Sequence, residues 1–279
     1  MRAMILGASG MLGHDLVATV PAAVTLVPFM KAELDITDAT ALAAAVATVR
    51  PDVIVNAAAY TAVDGAEAEP DLAFRVNADA VGELGRIARS SRARVIHFST
   101  DYVFDGRASE PYTEDSPTHP VNTYGASKLA GENALRQSEA DSLIIRTQWL
   151  FGAHGKSFPR TMWERATTFL NTKVVRDQTG RPTYSRDLAS AVWALTERRA
   201  RGVLHVTNSG NATWFDVASY IFSRLGRSNL LSSCLTVEYP TTAERPHYSV
   251  LCTSLLEREL GTGLPEWPRA VDHFLQCVA

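Results

Sequence analysis

The sequence predicts an α/β fold, a doubly wound parallel sheet with a smaller C-terminal domain. In the first half of the chain, short apolar runs alternate with helical stretches. This alternation is typical of a parallel sheet that helices cover on both faces. A glycine-rich turn directly follows the first apolar run, which is the layout of a nucleotide-binding sheet. A chain of 279 residues suits one large α/β domain or two smaller ones.

The first strand, turn and helix predict a dinucleotide site of the Rossmann type. The apolar run at residues 4–6 is followed by Gly-Ala-Ser-Gly-Met-Leu-Gly at 7–13 and by a helical stretch at 15–20. The glycines permit a tight turn, a close approach of the backbone to a pyrophosphate, and close packing of helix on strand. The helix N-terminus adds free N–H groups and partial positive charge. The cofactor-binding residues predicted here are Gly7, Gly10, Met11, Leu12 and Gly13.

The following elements continue the alternation. Strands are predicted at residues 24–29, 53–56, 95–99 and 143–146, and helices at 42–49, 66–88 and 124–139, the second interrupted around Pro70. Ligands of parallel sheets bind at the carboxyl ends of the strands. The site is therefore expected where residues 7–13, 57–61, 99–101 and Trp149 meet.

After Phe151 the pattern loosens, and a second domain is predicted. Helices are expected at 157–169, 185–198 and 212–225, with Thr213 as a candidate cap of the last, and strands at 173–176 and 202–207. The tail is rich in proline and turn residues. We assign residues 1–150 to an NAD(P)-binding Rossmann domain and 151–279 mainly to a substrate-binding domain. The helix near 185–199 is expected to pack back onto the first domain.

Composition excludes several classes of function. The net charge of −3 and the absence of a basic stripe argue against a nucleic-acid partner. Three cysteines without a Cys-x-x-Cys pair argue against a disulfide framework, and the seven histidines show no metal-ligand spacing. No apolar run has membrane-spanning length, and the N-terminus already reads as a core strand. We expect a cytoplasmic protein that binds neither metal nor membrane.

Tyr124 and Lys128 are the strongest candidates for chemistry. Four residues apart on a helix, their side chains share one face, with Cβ atoms about 5–6 Å apart. A cation close to a phenol stabilises the phenolate and lowers its pKa, which makes a tuned proton donor. An ordinary surface helix pair is the alternative. The nucleotide turn at the start of the chain favours the first interpretation.

Together, the glycine turn, Tyr-x-x-x-Lys and Asn-Ala-Ala-Ala at 56–59 resemble the extended short-chain dehydrogenase/reductases. Longer stretches are similar to the dTDP-4-dehydrorhamnose reductase family. These stretches lie at residues 52–64, 99–106, 122–128, 146–149, 177–183 and 243–249. The resemblance runs from residue 1 to about Phe274, with the motifs in the expected order.

The resemblance implies reduction of the C4 ketone of a nucleotide-linked 4-keto-6-deoxyhexose in deoxysugar biosynthesis, with NADPH as cofactor and NADH as an option. Tyr124 would protonate the oxygen as general acid. Lys128 would lower the pKa of Tyr124 and hold the nicotinamide ribose. Thr100 would hydrogen-bond the same oxygen, and Asp101 beside it would contact the substrate.

On the cofactor side, the resemblance places Asp35 and Ile36 at the adenine, although Asp35 also fits a turn. The small residues Ala57, Ala58 and Ala59 would let the cofactor pass, and Asn77 would support the site or be a buried structural amide. The second strand runs into Lys31 without a carboxylate before Glu33. Lys31 could therefore meet a 2′-phosphate, which favours NADPH.

On the substrate side, Trp149 would wall the sugar pocket, with a core tryptophan as the alternative. Arg245 is the first candidate for the substrate diphosphate and Arg181 the second, because guanidinium groups match phosphate oxygens.

Some positions depart from the family pattern. Some relatives hold a metal in an acidic cluster at a dimer interface. Asp15 is present here, but Arg186 stands where a second carboxylate would be expected, so no metal is predicted. Gln148 replaces a usual serine and Cys252 a usual polar or acidic residue, which leaves the exact sugar open. A homodimer is compatible with the resemblance.

Two other classes of function remain as alternatives. One is a noncatalytic NADP-binding regulatory subunit of the methionine adenosyltransferase type. The other is a sugar-nucleotide epimerase or dehydratase. Related dehydratases carry Asp and Glu directly after the threonine, whereas Asp101 and Tyr102 follow Thr100 here.

Overall fold

A computed structural model describes residues 1–278 of the chain. The strands are β1 (Arg2–Leu6), β2 (Thr25–Phe29), β3 (Val53–Asn56), β4 (Arg94–Thr100), β5 (Ser142–Thr147), β6 (Leu150–Phe151), β7 (Thr172–Val175), β8 (Thr179–Gly180), β9 (Thr183–Tyr184), β10 (Gly202–His205), β11 (Ala212–Thr213) and β12 (Leu231–Cys234). The helices are α1 (Met11–Ala18), α2 (Ala39–Val49), α3 (Val63–Ala68), α4 (Pro70–Phe74), α5 (Ala80–Ser91), α6 (Thr123–Gln137), α7 (Phe158–Thr167), α8 (Ser185–Glu197), α9 (Trp214–Arg224), α10 (Ser254–Leu260) and α11 (Trp267–Val278). A π-helical turn spans Arg75–Asp79, and a 3-10 turn spans Asp101–Val103.

A six-stranded parallel sheet forms the centre, in the order β10-β5-β4-β3-β1-β2. Its register aligns Leu6 with Asn56, Asn56 with His97, and Thr100 with Thr147. The carboxyl ends of the strands therefore meet at one edge. The predicted α/β fold with a doubly wound parallel sheet is confirmed.

Pro28 lies in β2, which is the outermost strand on its side. Proline has no backbone N–H to donate to a second neighbour, so an edge position is where a strand tolerates it. The C-terminal residue of the same strand, Phe29, accepts backbone hydrogen bonds from Gly7 and Ala8 at 3.0 Å each. The edge strand thereby supports the glycine turn.

The two faces of the sheet have separate cores, because successive side chains of a strand point to opposite faces. Ile5 packs with Leu16 of α1 and with Leu188 and Val192 of α8 on one face. Its neighbours Met4 and Leu6 pack on the other face. Their partners there are Leu42 of α2, Leu84 of α5 and Leu135 of α6.

A third core holds the smaller C-terminal layer together. It gathers α7, α9 and α11 around buried aromatic side chains, Phe151, Tyr184, Phe222 and Phe274. Residues after 150 also return to the large sheet, since β10 is its edge strand and α8 contributes to its core. The division of the chain at residue 150 therefore stays a prediction about folding units.

The structure departs from the expected tail. The sequence predicts turns there because of its prolines, yet α10 and α11 form. Pro268 is the second residue of α11, where its missing N–H has no intrahelical partner to lose. The predicted interruption near Pro70 is confirmed, because α3 ends at Ala68 and α4 begins at Pro70. Within residues 1–278, no helix combines the length and the apolar character needed to span a bilayer.

Candidate active site at the carboxyl edge of the sheet

The glycine turn leaves no room for side chains. Gly7 has φ +80°, and a Cβ there would lie 2.7 Å from the backbone nitrogen of Ala58. A Cβ on Gly13 would lie 2.3 Å from the carbonyl oxygen of Gly7. Helix α1 starts at Met11, and its N-cap Gly10 offers no side-chain acceptor. The first N–H groups of α1 thus remain available to an anion at the helix N-terminus.

A cavity of about 230 Å³ lies beside this turn. It is lined by Gly7, Ser9, Gly10, Lys31, Leu34, Asp35, Ile36, Ala57, Ala58, Ala59, Tyr60, Leu72 and Val76. The Thr37 backbone N–H and hydroxyl donate to Asp35 at 2.9 and 2.8 Å, and these bonds hold the pKa of Asp35 below its usual range. Lys31 and Arg75 both face this carboxylate. Small walls, a carboxylate and two cations fit the adenosine half of a phosphorylated dinucleotide.

Asn77 connects this cavity to the helix that carries Tyr124. Its amide oxygen accepts from the Tyr60 backbone N–H at 2.9 Å, and its nitrogen donates to the Tyr60 carbonyl and the Ser127 hydroxyl at 3.0 Å. Asn77 lies in the π-helical turn, and a Cβ on Gly131 would lie 1.9 Å from its carbonyl oxygen. The amide is thus engaged with protein groups, as expected of a buried structural amide.

Helix α6 is held against the end of β4. Its N-cap Asn122 accepts from the Gly125 N–H at 2.8 Å, and a Cβ on Gly125 would lie 2.1 Å from the carbonyl oxygen of Tyr102. The turn after β4 and the first turn of α6 can touch only because this residue is glycine. That contact brings Thr100 close enough to Tyr124 for its hydroxyl to lower the pKa of the phenol.

The pKa values correct one expectation. The sequence predicts that Lys128 lowers the pKa of Tyr124. Instead, desolvation and the charge of Asp101 raise the pKa of Tyr124 to about 12, against a smaller opposing effect of the Thr100 hydrogen bond. Burial lowers the pKa of Lys128 to about 8, which Glu132 partly offsets. Withdrawal from water is thus the largest cause of both shifts.

His97 lies directly behind Lys128 and was missed by the sequence analysis. Its Nε2 is 3.5 Å from Lys128 Nζ, and its Nδ1 is 3.2 Å from Asn56 Nδ2. The Asn56 oxygen accepts from the Ala58 N–H at 3.2 Å. Burial, with the Lys128 charge second, holds the pKa of His97 well below its usual range, so the ring is neutral. The one available signal was a histidine inside the apolar run at 95–99.

A buried ion pair ties α6 to β5. Arg146 donates to both oxygens of Glu132 at 2.8 Å, Ser99 donates at 2.5 Å and Arg136 at 2.9 Å. The side chains of Glu132 and Arg146 are 0% and 2% exposed. Glu132 lies one helical turn beyond Lys128, so this cluster fixes the helix that carries the pair.

Asp101 is buried beside Thr100. The Thr100 hydroxyl donates to Asp101 Oδ1 at 3.1 Å, and Gln148 Nε2 lies 3.4 Å from Oδ2. Burial raises the pKa of Asp101 to about 7, although hydrogen bonds from Ser249, Thr100 and Gln148 oppose the shift. Gln148 also holds the C-terminal segment, since it donates to the Ser249 carbonyl at 3.1 Å and accepts from the Leu251 N–H at 3.1 Å.

A larger cavity of about 530 Å³ opens next to this group. Its aromatic and basic lining residues are Tyr102, Phe158, Arg165, Lys173, Trp214, Tyr239 and Arg245. The Tyr102 ring is 5.8 Å from that of Tyr124, which links the cavity to the proton donor. Trp149, with φ +47°, stacks on Trp214 at 3.6 Å between centroids. Rings and cations together suit a nucleoside diphosphate.

The two predicted diphosphate arginines lie in different places. Arg245 lines the larger cavity and pairs with Asp64 at 2.8 Å. Arg181 is outside that lining, because it donates to Asn211 at 3.0 Å and to Thr253 at 3.2 Å. The structure therefore does not support the prediction for Arg181.

The surroundings of Asp15 differ from the expectation, because a second carboxylate, that of Asp187, does face it. Asp15 accepts a short hydrogen bond from Ser185. Asp187, the neighbour of Arg186, faces Asp15, whose charge is among the causes that raise the pKa of Asp187 after burial. Asn208 donates to Asp187 at 2.7 Å. Within the described part of the chain, no three His, Cys, Asp or Glu side chains come close enough together to hold a metal ion.

Comparisons with known proteins agree with this geometry. The family model described as RmlD substrate binding domain matches residues 1–279. The chain is 40% identical to a dTDP-4-dehydrorhamnose reductase of Burkholderia thailandensis, over 97% of each chain. It is 43% identical to a dTDP-4-keto-6-deoxy-D-glucose reductase of Streptomyces niveus, over 81% of this chain and 79% of that one.

A solved structure is similar along its whole length. This is a dTDP-4-dehydrorhamnose reductase of Bacillus anthracis in complex with NADP, with a TM-score of 0.95 and 35% identity. The match covers 99% of this chain and 98% of that one.

Proposed function

The chain belongs to the RmlD family of dTDP-4-dehydrorhamnose reductases, and we propose that it reduces the C4 ketone of a nucleotide-linked 4-keto-6-deoxyhexose with NADPH. The reaction belongs to deoxysugar biosynthesis. The observation that carries the proposal is the grouping of Thr100, Tyr124 and Lys128 beside a nucleotide turn and a large aromatic, basic cavity.

The residues present fit the cofactor. The glycine cradle and the free N–H groups of α1 suit the diphosphate, and Ala57–Ala59 form a small wall for the adenosine. Lys31, together with Arg75, supplies positive charge for a 2′-phosphate. When bound, NADPH supplies the hydride that reduces the ketone carbon.

Tyr124 is the proton donor in this proposal. Its raised pKa keeps the phenol protonated at neutral pH, and the alkoxide that forms during reduction is a far stronger base. Thr100 donates a hydrogen bond to the same oxygen. The buried Lys128 lies one turn away with His97 behind it, so its ammonium can face the nicotinamide ribose and favour the phenolate left on Tyr124.

The larger cavity holds the substrate nucleotide. Phe158, Trp214 and Tyr239 offer faces for a base, and Arg165, Lys173 and Arg245 offer charge to the diphosphate. Trp149 supports this wall through its stack on Trp214. The sugar would then extend past Tyr102 towards Thr100 and Tyr124.

The test is NADPH consumption in the presence of dTDP-4-dehydrorhamnose. We expect oxidation that depends on the keto-sugar and a product with a hydroxyl at C4, identified by NMR. A noncatalytic regulatory subunit would bind NADPH and leave it unconsumed. Incubation with dTDP-glucose and NAD tests the dehydratase alternative, and we expect no 4-keto product, because tyrosine at position 102 cannot act as the carboxylate base near neutral pH.

A further inference from the structure

Thr100 has one proton to give, and the fold directs it to Asp101. Its hydroxyl donates to Asp101 Oδ1 at 3.1 Å and accepts from the Tyr102 N–H at 3.2 Å, and it lies close enough to Tyr124 to lower the pKa of that phenol. A hydroxyl is a single donor. While Asp101 is ionised, Thr100 is therefore occupied as a donor and cannot donate to the substrate oxygen or to a Tyr124 phenolate.

The orientation of Gln148 determines which oxygen of Asp101 can carry a proton. Gln148 Oε1 accepts from the Leu251 N–H at 3.1 Å, so its amide nitrogen must face Asp101 Oδ2, at 3.4 Å. The Ser249 hydroxyl accepts from Gln148 at 3.2 Å and lies close enough to this carboxyl group to oppose the rise in its pKa. Oδ2 thus faces a group that can only donate, whereas Oδ1 faces the Thr100 hydroxyl, which can either donate or accept. A proton on Asp101 belongs on Oδ1.

Few charges act on this carboxyl group. The titratable groups that face it are Tyr124 on α6 and Tyr102 on its own turn, with Arg245 beyond Tyr102. From the residue after β5 and from the C-terminal segment it meets the neutral side chains of Gln148 and Ser249. Burial raises the pKa of Asp101 to about 7, and its charge in turn raises the pKa of Tyr124. Protonating Asp101 therefore makes Tyr124 a stronger acid.

We propose that Asp101 supplies the proton of the reduction through Thr100 to Tyr124, and that only its protonated form leaves Thr100 free to donate. This rests on the proposed function. The alcohol O–H forms as the Tyr124 O–H breaks. The phenolate takes the Thr100 proton, and Thr100 takes the proton from Asp101 Oδ1. The carboxylate recovers a proton from water after product release, so one proton is consumed for each ketone reduced.

The direction in which turnover changes with pH follows from this relay. The protonated carboxyl group is the competent form, so turnover should fall as pH rises through the pKa of Asp101. In Asp101→Asn the amide oxygen would accept from Gln148, and the amide nitrogen would donate a hydrogen bond to Thr100 but could not release a proton to it. Turnover should then be lower than in wild type at pH values below the pKa of Asp101, and it should not fall further until Lys128, with a pKa of about 8, loses its proton.

The first experiment compares kcat against pH for wild type, Asp101→Asn and Asp115→Asn. Asp115 is an exposed carboxylate outside the site and serves as the matched control, which should keep the wild-type profile. In Asp101→Leu no donor faces Thr100 at any pH, and we expect a loss of roughly 10²-fold or more at every pH. Ser249→Ala removes a hydroxyl that lowers the pKa of Asp101. The pH at which kcat falls should therefore be higher in this variant than in wild type.

The second measurement needs no turnover. Infrared difference spectra of the NADP-bound protein between about pH 6 and about pH 8 should show a protonated carboxyl band that Asp101→Asn lacks and Asp115→Asn keeps. An Asp101→Asn enzyme that keeps the wild-type fall in kcat near pH 7 would overturn the relay alone. So would a wild-type spectrum without this band. A wild type that shows the band but reduces no keto-sugar would instead overturn the proposed function.

Discussion

Tyr124 lies close to Thr100 and one helical turn before Lys128, and its raised pKa keeps the phenol protonated across neutral pH. Tyr124→Phe removes the proton donor and leaves the ring, so turnover should fall by ~10²–10⁴-fold while NADPH binding stays nearly unchanged. Steady-state kinetics and a cofactor titration measure the two quantities. Tyr220→Phe, on α9 away from the site, is the control. A Tyr124→Phe enzyme with more than about a tenth of wild-type activity would contradict the general-acid role.

Lys31 determines the cofactor preference in this account. It is exposed at the rim of the smaller cavity, so its ion pair with a 2′-phosphate is worth ~1 kcal/mol, or roughly five- to tenfold in affinity. We expect a modest NADPH preference in the wild type that Lys31→Ala largely removes, measured as the ratio of kcat/KM for NADPH and NADH. Lys173→Ala, in the larger cavity, should change KM for the sugar nucleotide and not this ratio. An unchanged ratio in Lys31→Ala would sink the role of Lys31.

Local spacing revealed some site residues and could not reveal others. Gly7–Gly13 and Tyr124–Lys128 are each contiguous or one helical turn apart, so their geometry follows from the sequence. His97, Glu132 and Gln148 act through partners up to 103 residues away, as in the Gln148–Leu251 bond. The raised pKa of Tyr124 escaped prediction for the same reason, because burial is a property of the assembled fold.

At the scale of elements, the packing of α6 between β4 and β5 depends on Glu132. Glu132→Gln keeps the shape of the side chain but leaves Arg146 buried without its counter-ion, so unfolding free energy should fall by about 3–5 kcal/mol. Glu139→Gln, which breaks an exposed pair with Arg89, should cost about 1 kcal/mol or less. Chemical denaturation at neutral pH measures both. Equal, small losses in the two variants would contradict this assignment of the ion pair.

The same pair has a defined pH dependence. Burial alone would raise the pKa of Glu132, but the bonds from Arg146, Ser99 and Arg136 outweigh it and hold the pKa below its usual range. A depressed folded-state pKa contributes stability above the unfolded value of about 4.3, and this contribution is lost as pH falls through the folded pKa. The difference in unfolding free energy between wild type and Glu132→Gln should therefore become smaller as the pH falls below about 4.3.

The elements themselves were largely predictable. The apolar strands of the sheet and the Thr213 cap of α9, which forms a capping box with Asp216, are confirmed. Helices α10 and α11 were not expected, because the prolines of the tail were interpreted as turn signals. Pro268 shows why that failed, since a proline in the first turn of a helix favours its start.

At the scale of the whole molecule, we expect turnover without a divalent metal. Asp15 and Asp187 are engaged with Ser185 and Asn208, and Tyr124 and Thr100 suffice to polarise and protonate the ketone. Activity should survive treatment with a chelator followed by gel filtration. Activity that is lost on chelation and restored by Mg²⁺ would show that a metal site exists and contributes.

The central claim is that this chain transfers a hydride from the cofactor to the C4 carbon of a nucleotide-linked keto-sugar. The most direct measurement uses NADPH deuterated at nicotinamide C4, with dTDP-4-dehydrorhamnose, and follows the sugar by NMR. We predict deuterium at C4 of the product in the wild type and none in Tyr124→Phe over the same time. An unchanged keto-sugar with wild-type protein and intact NADPH, or a product labelled at another carbon, would contradict the account.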